Sequence, residues 1–263
     1  MAHIITVPAF SDNYIWLICD DNKEKAVIVD PGDPRQLIEI LKNENIEPVA
    51  IILTHFHYDH GNGIPSLLEI YPNLKIYGPE SECVKAIDYP LQGHEEIFIE
   101  EINTHFQVMN VPGHTSGHIA YYTESGGQKR LFCGDTIFAG GCGRVFNGSK
   151  KLLHDSLAKI ADLPEDTLLY CTHEYTTDNL GFAKWVEPDS AELSARIKET
   201  QNSRDNKQAT VPSLLSLEKS TNPFLRTHLD HVTKKVAEAT GKTLNNSTEV
   251  FAAMRTWKDT EYD

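Results

Sequence analysis

Thr54-His55-Phe56-His57-Tyr58-Asp59-His60-Gly61 follows without a break on the apolar run Val49-Ala50-Ile51-Ile52-Leu53. A continuous apolar run of that length reads as a strand buried on both faces, and such a strand delivers the residues after it to the edge of a sheet. While the chain is still extended, His55 and His57 point to the same side and can chelate one ion. The chain must then turn, as Gly61 and Gly63 permit, so that the adjacent Asp59 and His60 diverge and reach a second ion. Imidazoles and a carboxylate crowded this closely repel one another unless a cation unites them, so the run reads as part of a metal centre and not as chance clustering among the chain's 12 histidines.

Working outward, Ala26-Val27-Ile28-Val29-Asp30 reads as a second buried strand, and Asp33 with Pro34 behind it as the start of a helix whose apolar face is Leu37, Ile38 and Leu41. Strand, helix, strand is an α/β layer. Further strands are expected at 75–77, 96–99, 106–111, 119–122, 130–133 and 168–171, making a large mixed sheet. From about Thr176 the strand signal fades, and amphipathic stretches containing Leu193 and Ile197, Leu214 and Leu217, and Val236 and Ala237 point to a smaller helical domain. Three more strand or loop ends each deliver one metal-binding side chain. His114 lies in Val111-Pro112-Gly113-His114-Thr115-Ser116-Gly117-His118, Asp135 ends Leu131-Phe132-Cys133-Gly134-Asp135, and His173 ends Leu168-Leu169-Tyr170-Cys171-Thr172-His173. In α/β architectures functional groups gather where strands end.

Composition excludes several classes. The 263 residues are 40% hydrophobic and 24% charged, as in an ordinary globular protein, and 24 basic against 38 acidic side chains leave a net charge of -14 that would repel a phosphate backbone. Nucleic acid is not an expected partner, nor is a membrane, because no apolar run approaches the roughly 20 residues a bilayer requires. The N-terminus lacks a basic segment followed by an apolar one, so a cytoplasmic protein is expected; a monomer acting on a small molecule is the expectation for its assembly. Cys19, Cys83, Cys133, Cys142 and Cys171 show no CxxC spacing, which argues for small core residues and against a thiolate zinc site.

Together the HxHxDH run, the PGHTxGH loop, Gly134-Asp135 and His173 resemble the metallo-β-lactamase superfamily. Within it, Gly141-Cys142-Gly143-Arg144, Cys171-Thr172-His173-Glu174-Tyr175, Asn222-Pro223-Phe224-Leu225-Arg226 and Arg255-Thr256-Trp257-Lys258-Asp259 are similar to the hydroxyacylglutathione hydrolase, or glyoxalase II, family. The resemblance implies an α/β fold: a metallo-β-lactamase-like αββα sandwich over 1–175 with a smaller C-terminal α-helical, substrate-binding domain over 176–263. It implies His55, His57 and His114 on one metal, Asp59, His60 and His173 on the other, and Asp135 between them. Substrate contacts would fall on Arg144, Tyr175, Arg255 and Lys258, while Phe146 stands where some members carry tyrosine. The substrate class is an S-(2-hydroxyacyl)glutathione such as S-D-lactoylglutathione, split to glutathione and D-lactate in the second step of methylglyoxal detoxification.

Imidazole and carboxylate donors suit two divalent ions, zinc first, with iron or manganese also accommodated. Two ions about 3.5 to 4 Å apart would share a bridging hydroxide as nucleophile, with Asp59 orienting it, and one ion would stabilise the oxyanion of the attacked thioester. A thiolate leaving group needs little protonation, which fits the lack of an obvious general acid. The alternative is a mononuclear iron persulfide dioxygenase of the same superfamily, which would consume oxygen. Retention of His60 and His173, and the helical region with Arg255 and Lys258, favour the hydrolase. A β-lactamase leaves the extra domain without purpose, a nuclease conflicts with the charge, and a structural metal module would have its ions fully ligated by protein.

Overall fold

A computed structural model describes residues 3–82 and 84–262, so the reading of Cys83 as a core residue lies outside the described residues. The chain divides into two compact units, one of residues 1–110 and 117–134, the other of 111–116 and 135–263.

The first unit opens with β1 (His3–Ala9), β2 (Asn13–Cys19) and β3 (Lys25–Val29), then α1 (Arg35–Asn43), β4 (Glu47–Ile52), a single helical turn α2 (Tyr58–Gly61), α3 (Ile64–Ile70), β5 (Lys75–Pro79) and β6 (Tyr89–Leu91). These six strands form one sheet in sequence order, antiparallel from β1 to β3 and parallel from β3 to β6. Its central strands β2 and β3 are buried along nearly their whole length because both faces are covered, whereas the edge strands β1 and β6 expose several residues. Ile15, Leu17, Ile28, Ile51 and Ile76 pack with Leu37 and Leu41 of α1 and Ile64 and Leu67 of α3, while Trp16, Ile18, Val27 and Ile52 alternate with them and are equally buried. Each such Leu or Ile contributes about 2 kcal/mol by leaving water. Helix α1 begins at Arg35, one residue past Pro34, and Asp33 accepts from the Arg35 backbone N–H at 3.2 Å. The unit's remaining strands, β7 (Glu96–Ile99), β8 (Thr104–Asn110), β9 (Ile119–Ser125) and β10 (Gln128–Gly134), form an antiparallel meander in the order β7-β8-β9-β10. In β8, Phe106 and Val108 are buried and His105 and Gln107 exposed, the period of two that a half-covered strand requires.

Glu95, before β7, carries a pH dependence. Burial alone would pull its carboxyl up, but the backbone N–H groups of Gln92, Gly93 and His94, at 2.7, 2.8 and 3.0 Å, outweigh burial and bring it from 4.5 down to about 2. A depressed carboxyl stabilises the fold fully above its unfolded value and loses that contribution as pH falls through the folded one. Glu95→Gln is therefore expected to unfold at lower urea than the parent at pH 7, with the gap closing between pH 4.5 and 2. A gap of equal size at pH 7 and at the acid end would contradict this origin.

The second unit holds the short hairpin β11 (Ile137–Phe138) and β12 (Gly141–Cys142), helix α4 (Lys150–Ala161), β13 (Leu168–Cys171), α5 (Thr176–Val186), α6 (Ala191–Asp205), β14 (Ser213–Leu214), α7 (Leu215–Thr221), α8 (Asp230–Thr240) and α9 (Ser247–Trp257). Strand β13 pairs antiparallel with β14. Helices α4, α6 and α9 start where side chains cap them: Ser149 accepts from Leu152 N, Ser190 from Leu193 N and Asn246 from Glu249 N. Phe182 packs with Phe224 and Trp257 at ring separations of 6.0 and 5.3 Å, and Phe251 joins Phe224 at 5.5 Å, giving this unit an aromatic core. Among the described residues no helix is long and apolar enough to cross a membrane.

Candidate metal centre

The first unit supplies His55, His57, Asp59 and His60 at the carboxyl end of β4. The turn that separates the two pairs is helix α2, with His57 as its N-cap in extended conformation (φ −58°, ψ 148°), and not a glycine bend. Gly63 has an ordinary helical φ of −76°; it is there for closeness, since a Cβ would sit 2.3 Å from the Pro31 carbonyl oxygen.

Buried hydrogen bonds decide which nitrogen each histidine presents. Asp30, 1% exposed, accepts from the Thr54 backbone N–H and hydroxyl, both at 2.8 Å, and its Oδ2 lies 2.9 Å from His60 Nδ1. Since the carboxylate accepts, His60 carries its proton on Nδ1 and presents Nε2 as a lone pair. The Thr54 hydroxyl donates to Asp30 and so accepts from His55 Nδ1 at 3.1 Å, which frees the lone pair of His55 Nε2 for a ligand role. His55 Nε2 lies 3.0 Å from His57 Nδ1, bringing two imidazole nitrogens together as a chelating pair would require. Asn13 Nδ2 donates to Asp59 Oδ2 at 2.9 Å, and Asp59 Oδ2 is 3.6 Å from His60 Nε2. His118 stacks on His55 with centroids 4.6 Å apart and fixes the plane of that ring. Gly134 has φ +47°, and a Cβ there would fall 2.4 Å from Thr54 Oγ1, which is why glycine ends β10.

The second unit supplies His114, Asp135 and His173. Asp135 Oδ2 lies 3.4 Å from His114 Nε2 and 3.5 Å from His173 Nε2. His114 Nδ1 donates to the Arg144 carbonyl at 2.7 Å, again leaving Nε2 as a lone pair. Tyr175 stacks on His173 at 4.5 Å and 7°, and Phe138 meets both rings edge-on. Hydrogen bonds of this kind, which orient imidazoles through their other nitrogen, are what a metal site requires, and each unit carries His and Asp donors of the kind a binuclear centre takes. Burial pushes the thiols of Cys142 and Cys171 up to about 11 and 12, so neither supplies a thiolate.

Of the other sequence-selected residues, Arg144 is exposed, Phe146 is exposed with its ring edge-on to His114 at 5.2 Å, and Tyr175 is just over a third exposed. Arg255 is buried. Its Nη1 donates to the Cys142 carbonyl at 3.1 Å, its Nε to Asp259 Oδ1 at 3.0 Å, and its guanidinium lies over the Phe224 ring. Lys258, also buried, places its ammonium 5.4 Å from the Tyr262 ring centroid.

The Metallo-beta-lactamase superfamily profile matches residues 9–173, and the profile for the Hydroxyacylglutathione hydrolase C-terminus matches 174–261. A hydroxyacylglutathione hydrolase of Nitrosomonas eutropha is 42% identical over 259 residues, covering 98% of this chain and 99% of its own. Another, of Pseudomonas aeruginosa, is 44% identical over 260 residues with the same two coverages. This chain belongs to the hydroxyacylglutathione hydrolase family. Its fold is shared with TTHA1623, solved in a di-iron-bound form, at 25% identity and a TM-score of 0.59 over 85% of this chain and all of that one. The hydroxyacylglutathione hydrolase architecture is thus a metallo-β-lactamase fold followed by a helical C-terminal region.

Two polar residues at the site carry no signal in the sequence. Asn13 lies in an apolar stretch far from the motif, and Asp30 reads only as the end of a buried strand; its φ of +50° marks a constrained position that the sequence does not display. Asp30→Asn tolerates that backbone, because asparagine enters the left-handed region readily. It is expected to lower metal retention and turnover by roughly 10- to 100-fold through misorienting His60. Parent-like metal content after dialysis against a chelator, with parent-like turnover, would remove that role.

Proposed function

We propose that this chain hydrolyses the thioester of an S-(2-hydroxyacyl)glutathione, such as S-D-lactoylglutathione, to glutathione and a 2-hydroxy acid. In that role it serves the second step of methylglyoxal detoxification in the cytoplasm, where glutathione is abundant, as a monomer. The observation that carries the reading is near full-length identity of 42 to 44% to hydroxyacylglutathione hydrolases, supported by His60 and His114, each oriented by a hydrogen bond to Nδ1.

In this reading His55, His57 and His114 hold one ion, Asp59, His60 and His173 the other, and Asp135 both; zinc is the first choice, with iron or manganese admitted by the same donors. Ions held there would supply the acidity that turns water into a nucleophile at neutral pH and the charge that polarises a thioester carbonyl. Asp59, fixed by Asn13, accepts a hydrogen bond from the attacking water and so orients it. The sulfur leaves as a thiolate and asks for no general acid. Arg144, Tyr175, Arg255 and Lys258 recognise the glutathione moiety, whose carboxylates need local positive charge on a chain of net charge -14. Residues 1–175 are then the catalytic part and 176–263 the substrate-binding part. The match of a hydroxyacylglutathione hydrolase C-terminal profile to 174–261 favours hydrolysis over persulfide oxidation. Incubation with S-D-lactoylglutathione should release free thiol in step with thioester loss and without oxygen uptake. Oxygen consumption with a persulfide, and no thioester cleavage, would overturn it.

A further inference from the structure

Asp135 and Arg144 stand at the two ends of the β11–β12 hairpin, whose strands are two residues each and joined by Ala139 and Gly140. Strands that short carry too few ladder hydrogen bonds to hold their own register. Instead, buried side chains of the helical segments grip the hairpin backbone. Asn222 Nδ2 donates to the carbonyls of Phe138 and Gly141 at 3.3 and 2.9 Å, and Asn179 Nδ2 to that of Ala139 at 3.2 Å. The Gly140 N–H donates to Glu218 Oε2 at 2.8 Å, and Asn222 Nδ2 also reaches that oxygen at 3.1 Å. The other Glu218 oxygen accepts from Arg196 and Ser213, so a fully buried carboxylate is neutralised by a buried guanidinium.

A buried ion pair adds little net stability over apolar packing, and its better-attested use is to select one conformation. Here the conformation selected is that of the hairpin. Its ends set the Asp135 carboxylate and the Arg144 carbonyl that aims His114 Nε2, and its middle sets Phe138 against His173. The Asn222-Pro223-Phe224-Leu225-Arg226 stretch had a family likeness in the sequence but no task. We propose that Asn222 and Glu218, backed by Arg196, are positioning residues for the metal centre, acting through the β11–β12 hairpin. Only the activity readout below rests on the proposed thioesterase function.

The test uses the full-length protein loaded with cobalt(II), whose visible absorption reports ligand geometry, together with steady-state kinetics of the native holoenzyme on S-D-lactoylglutathione. Asn222→Ala removes the carbonyl grips without leaving a buried charge. It is expected to shift the cobalt spectrum and lower kcat by roughly 10- to 100-fold, with KM changed by less than about threefold, at temperatures well below its unfolding midpoint. A parent-like spectrum and kcat, with only a lower Tm, would make the network purely structural and overturn the proposal. Should Asn222→Ala fail to fold, Asn179→Ala, which removes the single bond to Ala139, is judged by the same two readouts: a smaller shift in both supports positioning, and no shift in either overturns it. A shifted spectrum in a protein whose parent lacks thioesterase activity supports positioning and counts against the proposed function alone.

Discussion

Asp135→Ala is expected to lower metal content and to cut turnover on a glutathione thioester by roughly a thousandfold, a loss of about 4 kcal/mol in transition-state stabilisation. Its Oδ2 sits 3.4 Å from His114 Nε2 and 3.5 Å from His173 Nε2, so deleting the carboxylate removes the negative charge between two imidazoles assigned to different ions. The fold should survive, because Asp135 follows β10 and contributes no apolar packing to the core. Metal analysis, circular dichroism and kinetics on one preparation settle the matter. If the variant keeps parent metal content and turnover, Asp135 merely caps a strand end.

The second large effect concerns Arg255 and Lys258, which the sequence offers as a cationic pair for substrate. Arg255→Ala deprives the Cys142 carbonyl and Asp259 of their partner in a site where Arg255 is 1% exposed, and should destabilise the protein by about 3 kcal/mol. That change would read as lost activity for structural reasons unless stability is measured beside it. Lys258→Ala leaves the Cys142 contact intact but removes a buried side chain packed on Tyr262, so with stability measured beside it the kinetics separate recognition from folding. On the proposed role it raises KM for the glutathione thioester by roughly 10-fold with kcat little changed, and has no effect on a small thioester lacking glutathione. An equal loss on both substrates, or none on either, would exclude Lys258 from glutathione binding.

The parts of the fold that were legible in the sequence are those with strong periodic or continuous apolar signal. The run Val49-Ala50-Ile51-Ile52-Leu53 and the alternation around Phe106 and Val108 announce strands because burial on two faces or one leaves its own pattern. Strands β11, β12 and β14 have two residues each; the first two are held by side-chain grips from elsewhere and β14 by pairing with β13, so no local pattern could reveal them. The site divides in the same way. His55, His57, Asp59 and His60 stand in one short run, whereas Asp30 and Asn13 act from residues 30 and 46 positions away in the chain and are recognisable only once the fold is known. The helical turn of α2 and the burial of Arg255 were likewise invisible: a four-residue helix has no periodicity to detect, and an arginine near the chain's end reads as surface charge until its fork is seen on Cys142 and Asp259.

The most direct test counts metal in the active enzyme. Elemental analysis of purified protein, with kcat on S-D-lactoylglutathione measured on the same sample, should give close to two transition-metal ions per chain. Activity should be lost on treatment with a strong chelator and restored when the metal is returned. Full thioesterase activity in a preparation carrying one ion per chain or none would contradict the binuclear centre proposed for His55, His57, Asp59, His60, His114, Asp135 and His173.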